Sequence, residues 1–272
     1  MALLNVNMYS CSHIGNSRDN HEDNFLLCRG NYLSPDEREA MAVSRVPHCV
    51  KTKADISHFL VAVSDGMGGH SCGEVASLHT VREMSIKYEE MITAASIGEK
   101  DFGEQIAKLN REVYALGQSS SDTRGMGATL CGVVANNSDV YGFNVGDSRM
   151  YWLADGKLTQ LSTDHTEGER LLSLGLLSKE EVERHPRRKN IYKYIGYSGE
   201  LVPDVYRIPT VKSGTAILLC SDGLCDVLTD SEIEQALNSS IDIEAKGNQL
   251  ISMALGRNIG HGDNITVILI EF

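Results

Sequence analysis

The 272-residue sequence is short of positive charge. Lys and Arg number 25 against 37 Asp and Glu, and the formal net charge is −12. Nucleic acids and anionic membranes favour a basic surface, so neither is expected as a partner. No apolar run approaches the eighteen or so residues of a membrane span, and the first residues lack the pattern of a secretion signal. We therefore expect a soluble, cytoplasmic protein.

The seven cysteines contain no C-x-x-C pair. Their odd number and scattered spacing argue against a disulfide framework and fit a reducing cytoplasm. Cys131 and Cys220 lie inside apolar runs, which predicts that they are small core residues. His48 beside Cys49 is interpreted as incidental and not as a metal site.

Several catalytic motifs are also missing. The sequence has no G-x-S-x-G elbow of a serine hydrolase. His21-Glu22 does not continue as H-E-x-x-H, because Phe stands at position 25. The glycine-rich run 66–73 lacks the G-K-[ST] ending of a P-loop and gives only a weak nucleotide-binding signal.

What the sequence does contain is four aspartates at the ends of predicted strands. Asp65, Asp147 and Asp222 each follow an apolar run, and Asp263 precedes one; each lies next to a glycine. A single Asp-Gly is a common turn signal. If the four strand ends meet, however, they form a pocket of oxygen ligands that needs a hard cation to be stable. The glycines would let backbone carbonyls approach that cation.

The order of elements predicts antiparallel sheets and one domain, 1–272. Strands at 130–135, 139–145 and 148–154 are joined by tight turns, which is typical of an antiparallel meander. Residues 30–58 have weak periodicity and are predicted to be an insertion or long loop with a helical turn near 36–42. Further strands are predicted at 5–13, 24–28, 59–63, 215–220 and 265–270, and helices at 73–91, 101–116, 168–174, 178–184, 230–238 and 245–255.

An acidic cluster without an obvious nucleophile favours metal-activated water. Two cations that share one aspartate can activate a water for in-line attack and offset phosphoryl charge. Asp65, in the middle of the set, is the candidate bridge. Arg18 suits a second task, because a guanidinium can bind the other phosphate oxygens through two donors.

The ordered set of motifs closely resembles the metal-dependent protein phosphatases (PPM family, type 2C), above all the bacterial serine/threonine members. The resemblance spans nearly the whole chain, and the set is specific although each motif alone is not. The motifs are Arg18-x-x-x-Glu22-Asp23, Asp65-Gly66-Met67-Gly68-Gly69, Gly125-Met126-Gly127-Ala128-Thr129, Val145-Gly146-Asp147-Ser148-Arg149, Asp164-His165, Ser221-Asp222-Gly223 and Asp263-Asn264.

The resemblance implies an α+β fold, a four-layer α-β-β-α sandwich with two central antiparallel sheets flanked by helices. It implies two or three divalent cations, manganese or magnesium, and a flap segment near 164–199. Arg18 would bind the substrate phosphate and Asp23 would lie behind the metal ligands; together with Asp65 they form the catalytic set. The implied metal ligands are Glu22, Asp65, the carbonyl of Gly66, Asp147, Asp222 and Asp263.

Within that set, Asp65 would bridge two ions. Asp222 and Asp263 would complete one site, and Glu22 with the carbonyl of Gly66 would help to hold the other, largely through waters. Asp147, with Asp222, would form a third and weaker site. Met67 replaces the His that animal members carry after the central Asp-Gly, and bacterial members share this change.

His21 stands where bacterial members usually have Asn. It is interpreted as a loop-packing histidine, with a proton-transfer or hydrogen-bonding role as the alternative. The predicted function is a cytoplasmic phosphatase of phosphoserine and phosphothreonine proteins. We expect a monomer, with a serine/threonine kinase of the same cell as its counterpart. Two alternatives stay open: a phosphatase of small phosphometabolites, and a phosphoprotein-binding module without catalysis.

Overall fold

The structure, a computed structural model, describes residues 5–67, 72–136, 139–208, 211–257 and 262–272. The strands are Asn5–His13 (β1), Asn24–Leu27 (β2), His48–Asp55 (β3), His58–Ser64 (β4), Gly66–Met67 (β5), Gly127–Ala128 (β6), Leu130–Asn136 (β7), Asp139–Val145 (β8), Arg149–Ala154 (β9), Lys157–Gln160 (β10), Asp204–Arg207 (β11), Ala216–Cys220 (β12) and Ile265–Glu271 (β13). The helices are Pro35–Ser44 (α1), Gly73–Ile86 (α2), Tyr88–Ile97 (α3), Glu99–Gly117 (α4), Glu167–Ser173 (α5), Lys179–Arg184 (α6), Asp222–Cys225 (α7), Asp230–Leu237 (α8) and Ile243–Arg257 (α9).

Two antiparallel sheets form the centre of the molecule, as predicted. The six-stranded sheet has the order β10-β9-β12-β13-β1-β3, and the five-stranded sheet has the order β11-β8-β7-β4-β2. The short strands β5 and β6 pair separately. The predicted three-strand meander is wrong in its third strand, because β9 pairs with β10 and β12 in the other sheet. The chain changes sheets just after Gly146, which has a φ of 109°, a conformation that favours glycine.

Alternating side chains divide the core into three apolar clusters. On β4, Phe59, Val61 and Val63 contribute to a cluster that contains residues of both sheets. The opposite face of the same strand, Leu60 and Ala62, belongs to a cluster with α2, α3 and α4. The six-stranded sheet shares its outer face in the same way with α7, α8 and α9. The period of two along a central strand such as β4 therefore buries both of its faces.

The expectation of a long loop over 30–58 is wrong, because this segment contains α1 and β3, but the helical turn predicted near 36–42 lies within α1. Helix α1 begins with a capping box of Ser34 and Glu37 and has Pro35 in its first turn, which are strong start signals. Strand β3 pairs with β1 at the edge of the six-stranded sheet. The exposed Lys51 and Lys53 alternate with half-buried residues on β3, and lysines of this kind are typical of edge strands.

The helix predicted over 73–91 is also divided, because α2 ends at Ile86 and α3 begins at Tyr88. Lys87 between them forms ion pairs with Glu83 and Glu112. The other predicted helices are present with shifted ends. Within the described ranges, no helix has both the length and the apolar character needed to cross a membrane.

Candidate active site

Asp65 lies where β4 ends, and the chain around it is held by Thr129. The Asp65 amide donates to Thr129 Oγ1 at 2.9 Å, and the Thr129 amide donates to the Asp65 carbonyl at 2.8 Å. Thr129 Oγ1 is also 2.7 Å from Ser148 Oγ. Three of the motifs recognised in the sequence therefore meet at this aspartate; Gly68 and Gly69 lie outside the described residues.

The other predicted acids surround Asp65. Burial raises the pKa of the Asp65 carboxyl well above its ordinary value, and the charges of Asp23, Asp222, Asp147 and Asp263 raise it further. The pKa of Asp222 is raised for the same reasons, by burial first and then by Asp147. The structure thus brings acids from five separate segments into one mutually repelling group, which a cation would stabilise.

Asp23 lies at the buried side of this group. Its side chain is 1% exposed, and Oδ2 accepts hydrogen bonds from Ser221 Oγ and Thr266 Oγ1, both at 2.7 Å. Burial raises the pKa of the Asp23 carboxyl to about 7, although these two donors lower it. Asp23 therefore ties together the strand ends that carry Asp222 and Asp263.

Asp147 is positioned by a buried histidine. His165 Nδ1 accepts a hydrogen bond from the Gly146 amide, and the His165 amide donates to the Gly146 carbonyl, both at 2.9 Å. Burial, followed by the charge of Asp164, raises the pKa of the Asp147 carboxyl to about 7. Asp164 is itself paired with Arg149 through several N–H donors, the shortest contact being 2.7 Å. The Asp164-His165 motif thus supports the turn that presents Asp147.

The loop that carries Glu22 is fixed by side chains from distant segments. Asn264 Oδ1 accepts from the Glu22 amide at 2.6 Å, and Asn264 Nδ2 donates to the carbonyls of Ile14 and Asn20. The Glu22 carbonyl accepts from the Gly66 amide at 3.1 Å. Burial raises the pKa of the Glu22 carboxyl, whereas the nearby Arg18 lowers it.

Arg38 supports the same loop from α1. Its side chain is 7% exposed, and Nη2 donates to the Asp23 carbonyl at 3.1 Å and to Ser77 Oγ at 2.8 Å. Nη1 donates to the Glu74 carbonyl at 2.5 Å. One buried guanidinium therefore joins the loop before β2 to the first turns of α2.

Glycine is required at Gly66 by the close approach of two backbone segments. A Cβ at Gly66 would lie 2.0 Å from the carbonyl oxygen of Gly73 and 2.7 Å from that of Glu22. A Cβ at Gly73 would in turn lie 3.0 Å from Cδ of Glu22. Both glycines thus let the Asp65 turn, the Glu22 loop and the start of α2 converge without side chains between them.

Arg18 lies at the solvent edge of the acidic group. Its Nη2 donates to Asp263 Oδ2 at 2.6 Å, and the two side chains are 51% and 38% exposed. The hydrogen bond to Asp263 raises the pKa of Arg18. The guanidinium is therefore fully charged, next to the acids and accessible to solvent.

The residues present fit a hard divalent cation. Oδ1 of Asp222 is buried and has no hydrogen-bond partner, which is costly unless something else satisfies it. The available donors are carboxylate and carbonyl oxygens, the ligands that magnesium and manganese prefer. Within the described residues, no three Asp, Glu, His or Cys side chains are already grouped tightly enough to hold an ion directly, so this donor set calls for waters among the ligands.

A cavity of about 210 Å³ opens beside Asp147 and Asp222 and is also lined by Arg188 and Lys189 of the 164–199 segment. Lys189 forms an ion pair with Asp226, which follows α7. Hydrogen bonds from the amides of Glu167 and Gly168 to the carbonyls of Asn190 and Arg188 close the segment on itself. Arg187 is exposed and is not among the residues that line the cavity.

His21 is 1% exposed, and its Nε2 lies 3.0 Å from Ser12 Oγ. Burial lowers its pKa to about 3, so the ring is neutral at physiological pH. The Ser12 hydroxyl is also hydrogen-bonded to the Thr266 hydroxyl, with 2.7 Å between the two oxygens. This environment fits the loop-packing role better than proton transfer to a substrate.

Sequence reasoning missed the supporting roles of Arg38, Asn264 and His165. Asn264 and His165 belong to recognised motifs, but the sequence assigned no role to either residue. Arg38 follows the Ser34–Glu37 capping box at the start of a polar helix, and nothing in the sequence indicated its burial.

Comparison with known proteins now identifies the family. The model of the protein phosphatase 2C family matches residues 47–253. A serine/threonine phosphatase stp of Listeria monocytogenes is 38% identical over 215 residues, which cover 78% of this chain and 84% of that protein. The chain belongs to the protein phosphatase 2C family. The prediction of a protein phosphatase of the bacterial type is therefore confirmed.

Solved structures give the same result for the fold. The serine/threonine phosphatase of S. agalactiae superposes with a TM-score of 0.78 at 27% identity, over 98% of this chain and 99% of that one. The catalytic domain of the serine/threonine phosphatase PstP, in complex with two manganese ions, has a TM-score of 0.69 at 26% identity, over 98% and 99% of the two chains. The mixed fold with two antiparallel sheets and helices is thus shared across nearly the full length.

Proposed function

We propose that this chain is a metal-dependent phosphatase of phosphoserine and phosphothreonine proteins, with its active site at Asp65. The observation that carries the proposal is the convergence of acids on Asp65, with Asp222 Oδ1 buried and unpartnered. The relatives' names add support for the substrate class, because they are serine/threonine phosphatases.

The proposed metal ligands are Glu22, Asp65, the carbonyl of Gly66, Asp147, Asp222 and Asp263. Bound manganese or magnesium would supply an activated water and offset the charge of the phosphoryl group. The two manganese ions of PstP support at least two such ions here. Asp23 fixes the strand ends behind these acids through Ser221 and Thr266.

Arg18 is proposed to bind the phosphate. Its guanidinium lies at the open edge of the acidic group beside Asp263, and its exposure leaves it accessible to a phosphorylated side chain. A guanidinium binds phosphate oxygens through parallel N–H donors. Because the rest of the site is acidic, this charge also orients an anionic substrate with its phosphorus toward Asp65.

We also propose features of the chain as a whole. A single domain over 1–272, a flap at 164–199, a third metal site at Asp147 and Asp222, a monomer, a cytoplasmic location and a cognate kinase are all part of the proposal. The three apolar clusters support the four-layer α-β-β-α arrangement.

The substrate class can be tested with one set of rates. Phosphate release should be measured with manganese on a phosphothreonine peptide, a phosphoserine peptide and a panel of small phosphometabolites. The proposal predicts that kcat/KM is highest on the phosphopeptides. Higher values on a metabolite would assign a different phosphoester substrate, and tight phosphopeptide binding without release would assign a binding module.

A further inference from the structure

Two cysteines outside the active site lie directly opposite each other on paired strands. Cys11 of β1 is in register with Cys49 of β3 in an antiparallel pair. Residues opposed in this way have Cα atoms about 4.5 or 5.5 Å apart, and both values fall in the range that disulfides span.

The two sulfur atoms also point to the same place. Cys11 Sγ lies 3.7 Å and Cys49 Sγ 3.8 Å from one atom, Oδ1 of Asn248 on α9. The Tyr9 hydroxyl donates to that same oxygen at 2.8 Å. Both thiols therefore project from one face of the sheet toward α9, as a bond between them requires.

The two cysteines of this pair differ in their exposure to solvent. Cys49 is exposed, whereas the other six cysteines, all within the described residues, are buried or half-buried. Hydrogen bonding with the Cys11 side chain lowers the pKa of Cys49 to about 7, although burial opposes this effect. The pKa of Cys11 is raised, with that hydrogen bond as the main cause and burial next. Cys49 thus has the properties of an attacking thiol, and Cys11 those of a resolving one.

We propose that Cys11 and Cys49 are a redox-active thiol pair, which low-molecular-weight disulfides such as glutathione disulfide oxidise to a cross-strand disulfide. The Cys49 thiolate attacks one sulfur of the oxidant, which breaks the S–S bond and releases one thiol. The Cys11 thiol then gives up its proton and attacks Cys49 Sγ, which releases the second thiol. Two protein thiols are oxidised, and one disulfide is reduced to two thiols.

The segment that the disulfide would enclose contains residues of the candidate active site. The cross-link would enclose residues 11–49, which include Arg18, Glu22, Asp23 and Arg38. The edge strand β3, which follows the helix that carries Arg38, would then be tied covalently to β1, the strand that leads into the active-site loop. Because the bond joins a surface position, thiol reductants can reverse it.

The test is peptide mapping of the whole protein. The chain is incubated with glutathione disulfide, blocked with an alkylating reagent and digested with trypsin. Cleavage after Arg18, Arg45 and Lys51 gives peptides 1–18 and 46–51, each with a single cysteine. We expect these two peptides to be linked, no lasting glutathione on Cys49, and recovery of both thiols with dithiothreitol.

Three variants separate the steps. Cys11→Ser should retain a glutathione adduct on Cys49, and Cys49→Ser should leave Cys11 as a free thiol. Cys28→Ser, which changes a half-buried cysteine elsewhere, is the matched control and should form the cross-link to the same extent as the unmodified chain. Because the main result is obtained on the unmodified chain, misfolding of Cys11→Ser would leave it valid.

Three outcomes overturn the proposal: a stable glutathione adduct on Cys49 in the unmodified chain with Cys11 free, a Cys49–Cys49 link between two chains, or no loss of either thiol.

Discussion

Gly66→Ala is expected to damage the active site without removing any ligand. The new Cβ would lie 2.0 Å from the Gly73 carbonyl oxygen, where ordinary contacts begin at 3.4 Å. Because both neighbours of this Cβ are backbone, the Asp65 turn must move away from α2 and the Glu22 loop by more than 1 Å. Displacements of that size at reacting groups cost on the order of 100-fold in rate, and overpacking of this kind costs about 1–3 kcal/mol of stability.

The assay is phosphate release from a phosphothreonine peptide with saturating manganese, together with thermal denaturation. We expect kcat/KM to fall by roughly 100-fold and Tm to decrease. Gly103→Ala is the matched control, because a Cβ there meets no atom closer than 3.6 Å. Gly103 lies inside α4, so alanine should leave activity unchanged and stabilise the helix by up to about 1 kcal/mol. Unchanged activity and Tm in Gly66→Ala would refute the account of this turn.

Three further predictions concern the supporting residues, the buried acids and the flap. Arg38→Met should lower the free energy of unfolding by about 2–3 kcal/mol and weaken manganese binding; a variant as stable as the parent in chemical denaturation would contradict this. The pKa values of Asp23 and Asp147, raised to about 7 in the fold, mean that the metal-free fold holds protons which the unfolded chain loses near pH 4. The free energy of unfolding in chelator should therefore fall as pH rises from about 4 to 7, and manganese should remove most of that loss; a rise over this range would be inconsistent. Replacement of Arg187 and Arg188 by Ala should raise KM on phosphopeptides and leave a small aryl phosphate nearly unaffected, whereas equal loss on both substrates, or none, would exclude a substrate role for these arginines.

The strand-end aspartates show what local patterns can predict. Apolar runs that end in Asp-Gly located Asp65 and Asp222, and the same logic located Asp147 and Asp263. Each pattern depends on neighbouring residues, so a sequence displays it directly. Local patterns do not show that the four aspartates lie close together, because strand pairing joins segments far apart, such as Asn24 with Ser64 or Tyr9 with Leu269. Only the ordered set of motifs predicted that the aspartates form one site.

Other features were hidden for physical reasons. The edge strand β3 carries lysines on its exposed face, which weaken its apolar signal. The change of sheet before β9 follows Gly146, whose positive φ is a backbone conformation that the sequence does not display. Arg38 looks like a surface residue of a polar helix, and only the tertiary structure buries it under the Glu22–Asp23 loop.

The most direct test of the central claim is phosphate release from a phosphothreonine peptide under three conditions: with manganese, with chelator, and with Asp222→Asn plus manganese. Asp222→Asn keeps the shape of the side chain but removes a charge from the acidic group. The account predicts activity in the first condition and near-complete loss in the other two, with a folded variant by circular dichroism. Release that survives both chelator and Asp222→Asn would show that the acidic group around Asp65 is not the active site.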